Sequence, residues 1–138
     1  MKKHTLIATC LGLTFGLAVL ASAEAGPVKT TIPFSFTVFH KTLPAGDYWI
    51  TAASHLVKIR DANRNIVAMA SANEVSGRAV GEKGHILFHC YRDRCFLSEI
   101  WFPAAENGRQ LFTSREEGNL AKEEKGKYFA VLWVKPGK

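Results

Sequence analysis

The sequence predicts an all-β domain with a minor α contribution. It reads as an antiparallel barrel or sandwich of seven to eight short strands, with one short helix near 114–125, behind an N-terminal signal helix. Three observations carry this. Short segments alternate apolar and polar residues with period two, turn residues recur every 8 to 12 positions, and one long stretch, His85 to Phe102, has the form of a β-hairpin.

The chain opens with Met1-Lys2-Lys3-His4, continues through the uncharged, mostly apolar run Thr5–Leu20, and reaches Ala21-Ser22-Ala23 and Ala23-Glu24-Ala25. A basic start, an apolar middle and a small-x-small end make a secretory signal, cleaved after Ala23 or, as the alternative, after Ala25. The run is short for a spanning helix, which needs about 20 residues, so no stable membrane span is expected after cleavage. Cys10 sits mid-run, where a lipidated cysteine would stand at its end. The expected location is periplasmic or secreted.

Residues 1–23 are thus the signal, 24–31 a flexible lead, 32–135 a single β-rich domain and 136–138 a loose tail. Removing 23 residues from 138 leaves 115, the size of one domain. Lys2 and Lys3 leave with the signal, so 18 basic residues become 16 against 12 acidic, and the net charge falls from +6 to +4. The remaining cations are dispersed. Nucleic-acid binding needs clustered charge with stacking aromatics beside it, so no nucleic-acid partner is expected.

The strands follow in order. Ile32, Phe34, Phe36 and Val38 share one face of the first, with Pro33 near its start. Lys41–Gly46 is a turn. Asp47–Ala53 places Tyr48 and Ile50 opposite Trp49 and Thr51. In His55–Arg60, Val57 and Ile59 share a face. Asp61–Asn65 is a turn rich in Asp and Asn, and Ile66–Ala72 is a fourth strand. Glu74–Gly84 reads as a mobile loop, and Pro103–Gly108 ends the hairpin. Ser114 and Glu117 have capping-box spacing, although Gly118 and Asn119 weaken the helix that follows. Tyr128–Val134, YFAVLWV, is a continuous apolar run expected to form a central or well-covered strand.

A two-residue turn at Arg92-Asp93 sets Cys90 opposite Cys95 in a non-hydrogen-bonded pair, close enough for a disulfide. With Cys10 lost, these two form an even pair in an oxidising compartment. Their C-x4-C spacing and the lack of a nearby helix N-terminus speak against redox activity. His85 and His89 fall on the other strand face from Cys90, and about 13 Å separates them along a strand, so the four cannot share one metal ion.

No catalytic residue, cofactor or metal site is assigned. His40, His55, His85 and His89 have no partner at a recognisable spacing. Ser98 lacks the glycines of a nucleophile elbow, and phosphate-loop, zincin and dinucleotide motifs are absent. Glu99, in an otherwise apolar strand, reads as a salt-bridged carboxylate. Nine Phe, three Trp and three Tyr are read first as core. Among them Tyr48, Trp49, Phe96 and Trp101, with His89, are the candidate surface for a hydrophobic ligand or an envelope partner.

Residues 32–50, IPFSFTVFHKTLPAGDYWI, resemble the opening of a family of small exported bacterial proteins with an I-P-F-x-F-x-V pattern followed by L-P-A-G-x-Y. LFHCYRDRCFLSEIWF (87–102) and GRQLFTSREEGNLAK (108–122) resemble its later blocks. The resemblance implies an exported β-rich domain and no assigned activity or catalytic residue. The two hairpin cysteines depart from the pattern, which suggests a local stabiliser.

The functional expectation is a non-enzymatic binding or structural domain of the envelope. The alternative is a lipocalin-like carrier of a small hydrophobic ligand, with a hydrolase or thiol redox enzyme behind it.

Overall fold

A computed structural model describes Gly16 and residues 25–77, 83–123 and 126–136. The signal reading, the middle of the 74–84 loop and the last two residues of the tail lie outside the described residues.

The fold is all-β with one helix. Its strands are β1 (Ala25–Ile32), β2 (Phe36–Val38), β3 (Lys41–Leu43), β4 (Gly46–Ala53), β5 (Leu56–Arg60), β6 (Ile66–Ser76), β7 (Gly84–Tyr91), β8 (Arg94–Trp101), β9 (Asn107–Leu111) and β10 (Lys127–Pro136); the helix α1 is Arg115–Glu123. The pairing order is β3-β2-β8-β7-β10-β1-β4-β5-β6-β9, and β9 also pairs with β8. Eight strands therefore form a hydrogen-bonded circuit, β1-β4-β5-β6-β9-β8-β7-β10. Two of its seams are short. β1 meets β10 only at Val28↔Pro136 and Lys29↔Lys135, and β9 meets β8 only at Glu99, Ile100 and Trp101. The arrangement stands between a sandwich and a fully laced barrel. The β2–β3 hairpin is added where β9 stops, with β2 parallel to the start of β8.

The strand count exceeds the expected seven to eight. Residues 24–31 were expected to be a flexible lead, yet most of them form β1. Gly26 and Pro27 hid the strand: they coincide with an irregularity between Ala25 and Val28, after which the ladder to β4 runs regularly. The strand expected from Ile32 to Val38 breaks at Pro33, so Ile32 ends β1 and Phe36 begins β2. The short β3 lies inside the expected 41–46 turn. β9 falls partly in a segment read as the end of the hairpin, because NGRQL carries one large apolar residue and no alternation.

Period-two alternation packs the inside. Val28, Ile32, Phe36, Ile50, Val57, Ile59, Ile86, Phe88 and Ile100 have at most 1 % of their surface exposed. Phe88 meets Phe34 and Phe36 edge to face at centroid distances of 5.0 and 5.6 Å, and Phe36 meets Tyr48 at 5.3 Å. Burying side chains of this size stabilises by roughly 1.5–3 kcal/mol each. Tyr48 keeps its polar end satisfied by donating to the Pro44 carbonyl at 2.5 Å.

The 85–102 hairpin forms with the register its sequence implies at the tip: Tyr91↔Arg94, Cys90↔Cys95, His89↔Phe96 and Phe88↔Leu97. Arg92 turns the chain with φ 55°. Cys90 and Cys95 are disulfide-bonded, as their facing positions imply, with Cα atoms 4.0 Å apart.

Candidate functional site

The candidate site lies on the outer face of the β10–β7–β8 layer. Antiparallel register sets its side chains in cross-strand rows. From the hairpin tip outward these are Lys127–Tyr91–Arg94, Phe129–His89–Phe96, Val131–Leu87–Glu99 and Trp133–His85–Trp101.

Between the second and third rows the β7–β8 register shifts by one residue, from Phe88↔Leu97 to Leu87↔Glu99. The extra residue is Ser98. A bulge re-aims a side chain that regular alternation would turn away, and here the Ser98 hydroxyl reaches His89 Nε2 at 3.1 Å. On the other side of the ring, His89 Nδ1 lies 3.2 Å from Glu117 Oε1. Tyr91 donates its hydroxyl to the same oxygen at 3.3 Å.

Glu117 comes from α1. Ser114 caps the helix by accepting the Glu117 backbone N–H at 3.1 Å, as the capping-box spacing predicts. The second half of that motif would send the Glu117 side chain back to the cap. Instead its carboxylate turns down onto the sheet. Arg94 pairs with Glu116 at 2.5 Å and fixes the same turn of helix at the hairpin tip.

Donor and acceptor chemistry orders the chain of contacts. A carboxylate only accepts, so His89 Nδ1 carries the hydrogen toward Glu117. In that tautomer Nε2 accepts from the Ser98 hydroxyl. Serine, histidine and carboxylate are joined in one line, with Tyr91 as a second donor to the carboxylate. Ser98 and Glu117 are buried, and no buried side-chain polar atom among the described residues lacks a partner. Burial and the neighbouring Glu117 carboxylate both push the Tyr91 phenol above its ordinary range, which keeps it a donor.

The far end of the face is open. β10 was expected to be central or well covered. It is central in the pairing order, yet only its inward side packs on the core. Phe129 and Trp133 remain 59 % and 60 % exposed, and Val131 is exposed between them. His85 stacks on Trp101 at 6.0 Å and lies 5.4 Å from Trp133, giving an aromatic row across three strands. Trp101 donates its indole N–H to Glu99 at 2.9 Å, and Gln110 approaches the other Glu99 oxygen at 3.5 Å. Glu99 is thus hydrogen-bonded, where a salt bridge was expected.

The five sequence-selected surface residues do not gather into one patch. His89, Phe96 and Trp101 share the outer face, with Phe96 almost fully covered. Tyr48 is inside the core. Trp49 is on β4, under the Arg64 guanidinium at 3.6 Å and near Lys29 at 5.5 Å. Ser98 and Glu117 were missed as partners of His89. The bulge leaves no mark in the sequence, and the helix-to-sheet contact joins positions 28 residues apart.

Among the described residues, surface clefts also lie away from the His89 contacts. One is lined by Phe39, Met69, Ser71 and Phe112, another by Ser35, Thr37, Thr42, Arg94 and Cys95; neither includes His89, Ser98 or Glu117. Among the described residues no group of three or more His, Cys, Asp or Glu could hold a metal ion, and no helix is long and apolar enough to cross a membrane. Comparison with family models, curated proteins and solved structures gives no match.

Proposed function

We propose that this chain is an exported binding domain of the cell envelope, and that it docks its partner on the open aromatic end of the β10–β7–β8 face. The exposure of Phe129 and Trp133 on one side of a strand whose other side packs the core carries the reading. Large apolar side chains left together in water are costly unless something covers them, and such patches mark interaction surfaces. Aromatic residues are enriched at the cores of interfaces, and tryptophan is among those that concentrate binding energy there. Lys127 beside Phe129 and Glu99 beside Trp101 supply polar groups at its edge.

The carrier reading has less support. A small apolar ligand needs room inside the circuit, and among the described residues Phe34, Phe36, Tyr48 and Phe88 take up part of that space with edge-to-face contacts.

The test is expression of the full chain in a bacterial host, followed by fractionation. The mature protein should begin at Glu24 or Gly26 by mass and sediment with the envelope fraction. Phe129→Ala combined with Trp133→Ala should release it to the soluble fraction. Retention of Met1, or a double variant that sediments like the parent, would refute the proposal.

A further inference from the structure

We infer that Ser98 is an activated nucleophile, and that the Ser98–His89–Glu117 line is an acyl-transfer site for small carboxylic esters with an apolar acyl group. This goes beyond the binding role and lies on the same face, where Phe129 borders both.

Three groups stand in the order such chemistry needs. The nucleophile hydroxyl is 3.1 Å from one ring nitrogen of a base, and a buried carboxylate is 3.2 Å from the other. A nucleophile within reach of a base, with the base oriented by a third group, is the structural signature of an activated serine. The arrangement is held from two directions. The bulge sets Ser98, while the Ser114 cap and the Arg94–Glu116 pair set the turn of helix that carries Glu117. The Tyr91 hydroxyl restrains the carboxylate further.

The surroundings favour an apolar acyl group. Phe96 and Phe129 flank His89 across the sheet, and Leu87 is the next outward residue on β7. Ser98 is 7 % exposed. Phe129 meets the imidazole edge-on at 5.3 Å and is the mostly exposed neighbour, so an ester enters by displacing that ring.

The reaction balances without any other reagent than water. Ser98 Oγ attacks the ester carbonyl carbon as its proton passes to His89 Nε2. The tetrahedral adduct collapses, the bond from carbon to the alcohol oxygen breaks, and the alcohol leaves with the proton from Nε2. Water then attacks the acyl-serine by the same route, giving the carboxylic acid and regenerating the hydroxyl. Ser98 and His89 are the catalytic residues, and Glu117 is a positioning residue.

The experiment is covalent labelling of the full chain with an alkyl fluorophosphonate, read by intact mass and peptide mapping, beside hydrolysis of p-nitrophenyl acetate and butyrate. One adduct on Ser98 is expected, absent in Ser98→Ala and slowed at least tenfold in His89→Gln. Glu117→Gln should slow it similarly, with partial recovery in Glu117→Asp. Phe129→Ala should accelerate labelling, whereas the envelope test requires Phe129 for retention, so the two readings fail separately. The labelling of the unaltered protein decides the matter whether or not a variant folds. No adduct on Ser98, or an adduct whose rate ignores His89, would overturn the inference.

Discussion

Ser114 holds the backbone of Glu117, through an N–H donated to its hydroxyl at 3.1 Å, while the Glu117 side chain serves another part of the molecule. The cap and the sheet contact therefore act on one residue from opposite sides. Ser114→Ala should lower stability by about 1 kcal/mol, the usual cost of a lost N-cap. Urea unfolding should show it, and Ser114→Asp should retain most of the stability.

Tyr91 gives the alkaline limb of the stability profile. Burial, first, and then the Glu117 carboxylate raise its phenol in the folded chain. An unfolded tyrosine releases its proton near pH 10. Above that pH the folded state binds more protons than the unfolded one, so stability falls as pH rises through the raised value. Glu117→Gln removes the charge and leaves the burial. The fall should become shallower without vanishing, as read from denaturation midpoints between about pH 9 and 12.

His85 acts on the acid side. Burial lowers its affinity for a proton, and Glu99 opposes that with a smaller pull upward. The unfolded chain takes up the proton first as pH falls below about 6.5. Stability should therefore decline from there down to the depressed value and stop changing on this account below it. Proton NMR of the ring should place its midpoint below that of a free histidine, and Glu99→Gln should lower it again.

Reduction of Cys90–Cys95 should cost about 2 kcal/mol, because the bond closes a loop of about six residues and constrains the unfolded chain only modestly. Unfolding with and without reductant measures it. The double replacement by alanine should behave as the reduced protein does.

Trp101 lies against Gly108, where an added Cβ would meet the indole at 2.7 Å, and against Gly77, where it would also collide with the ring. Gly108→Ala should force the ring off the sheet, lower stability by roughly 1–3 kcal/mol as overpacking does, and shift tryptophan emission.

The hairpin tip, the Cys90–Cys95 pairing, the inward set from Ile50 to Ile59 and the helix after Ser114 were legible, because each depends on residues close in sequence. β1 was not, since Gly26 and Pro27 speak against a strand that only β4 and β10 can hold together. YFAVLWV was expected to be central or well covered; it is central between β7 and β1 but open on its outer side, because an unbroken apolar run does not say whether a second layer exists. The site was half legible. His89 drew attention, but its partners depend on a one-residue slip in β8 and on where a nine-residue helix comes to rest.

The pairing of β1 with both β4 and β10 has a temporal side. Lys29 meets Trp49 early in the chain but finds its other partner only at Lys135. Phe36 likewise waits for Cys95. A chain emerging N-terminus first, from a ribosome or through a narrow pore, can form the β4–β5–β6 meander at once, yet one side of β1 stays unpaired until β10 arrives. Such late contacts slow folding. They also leave the circuit open until its final strand has been made.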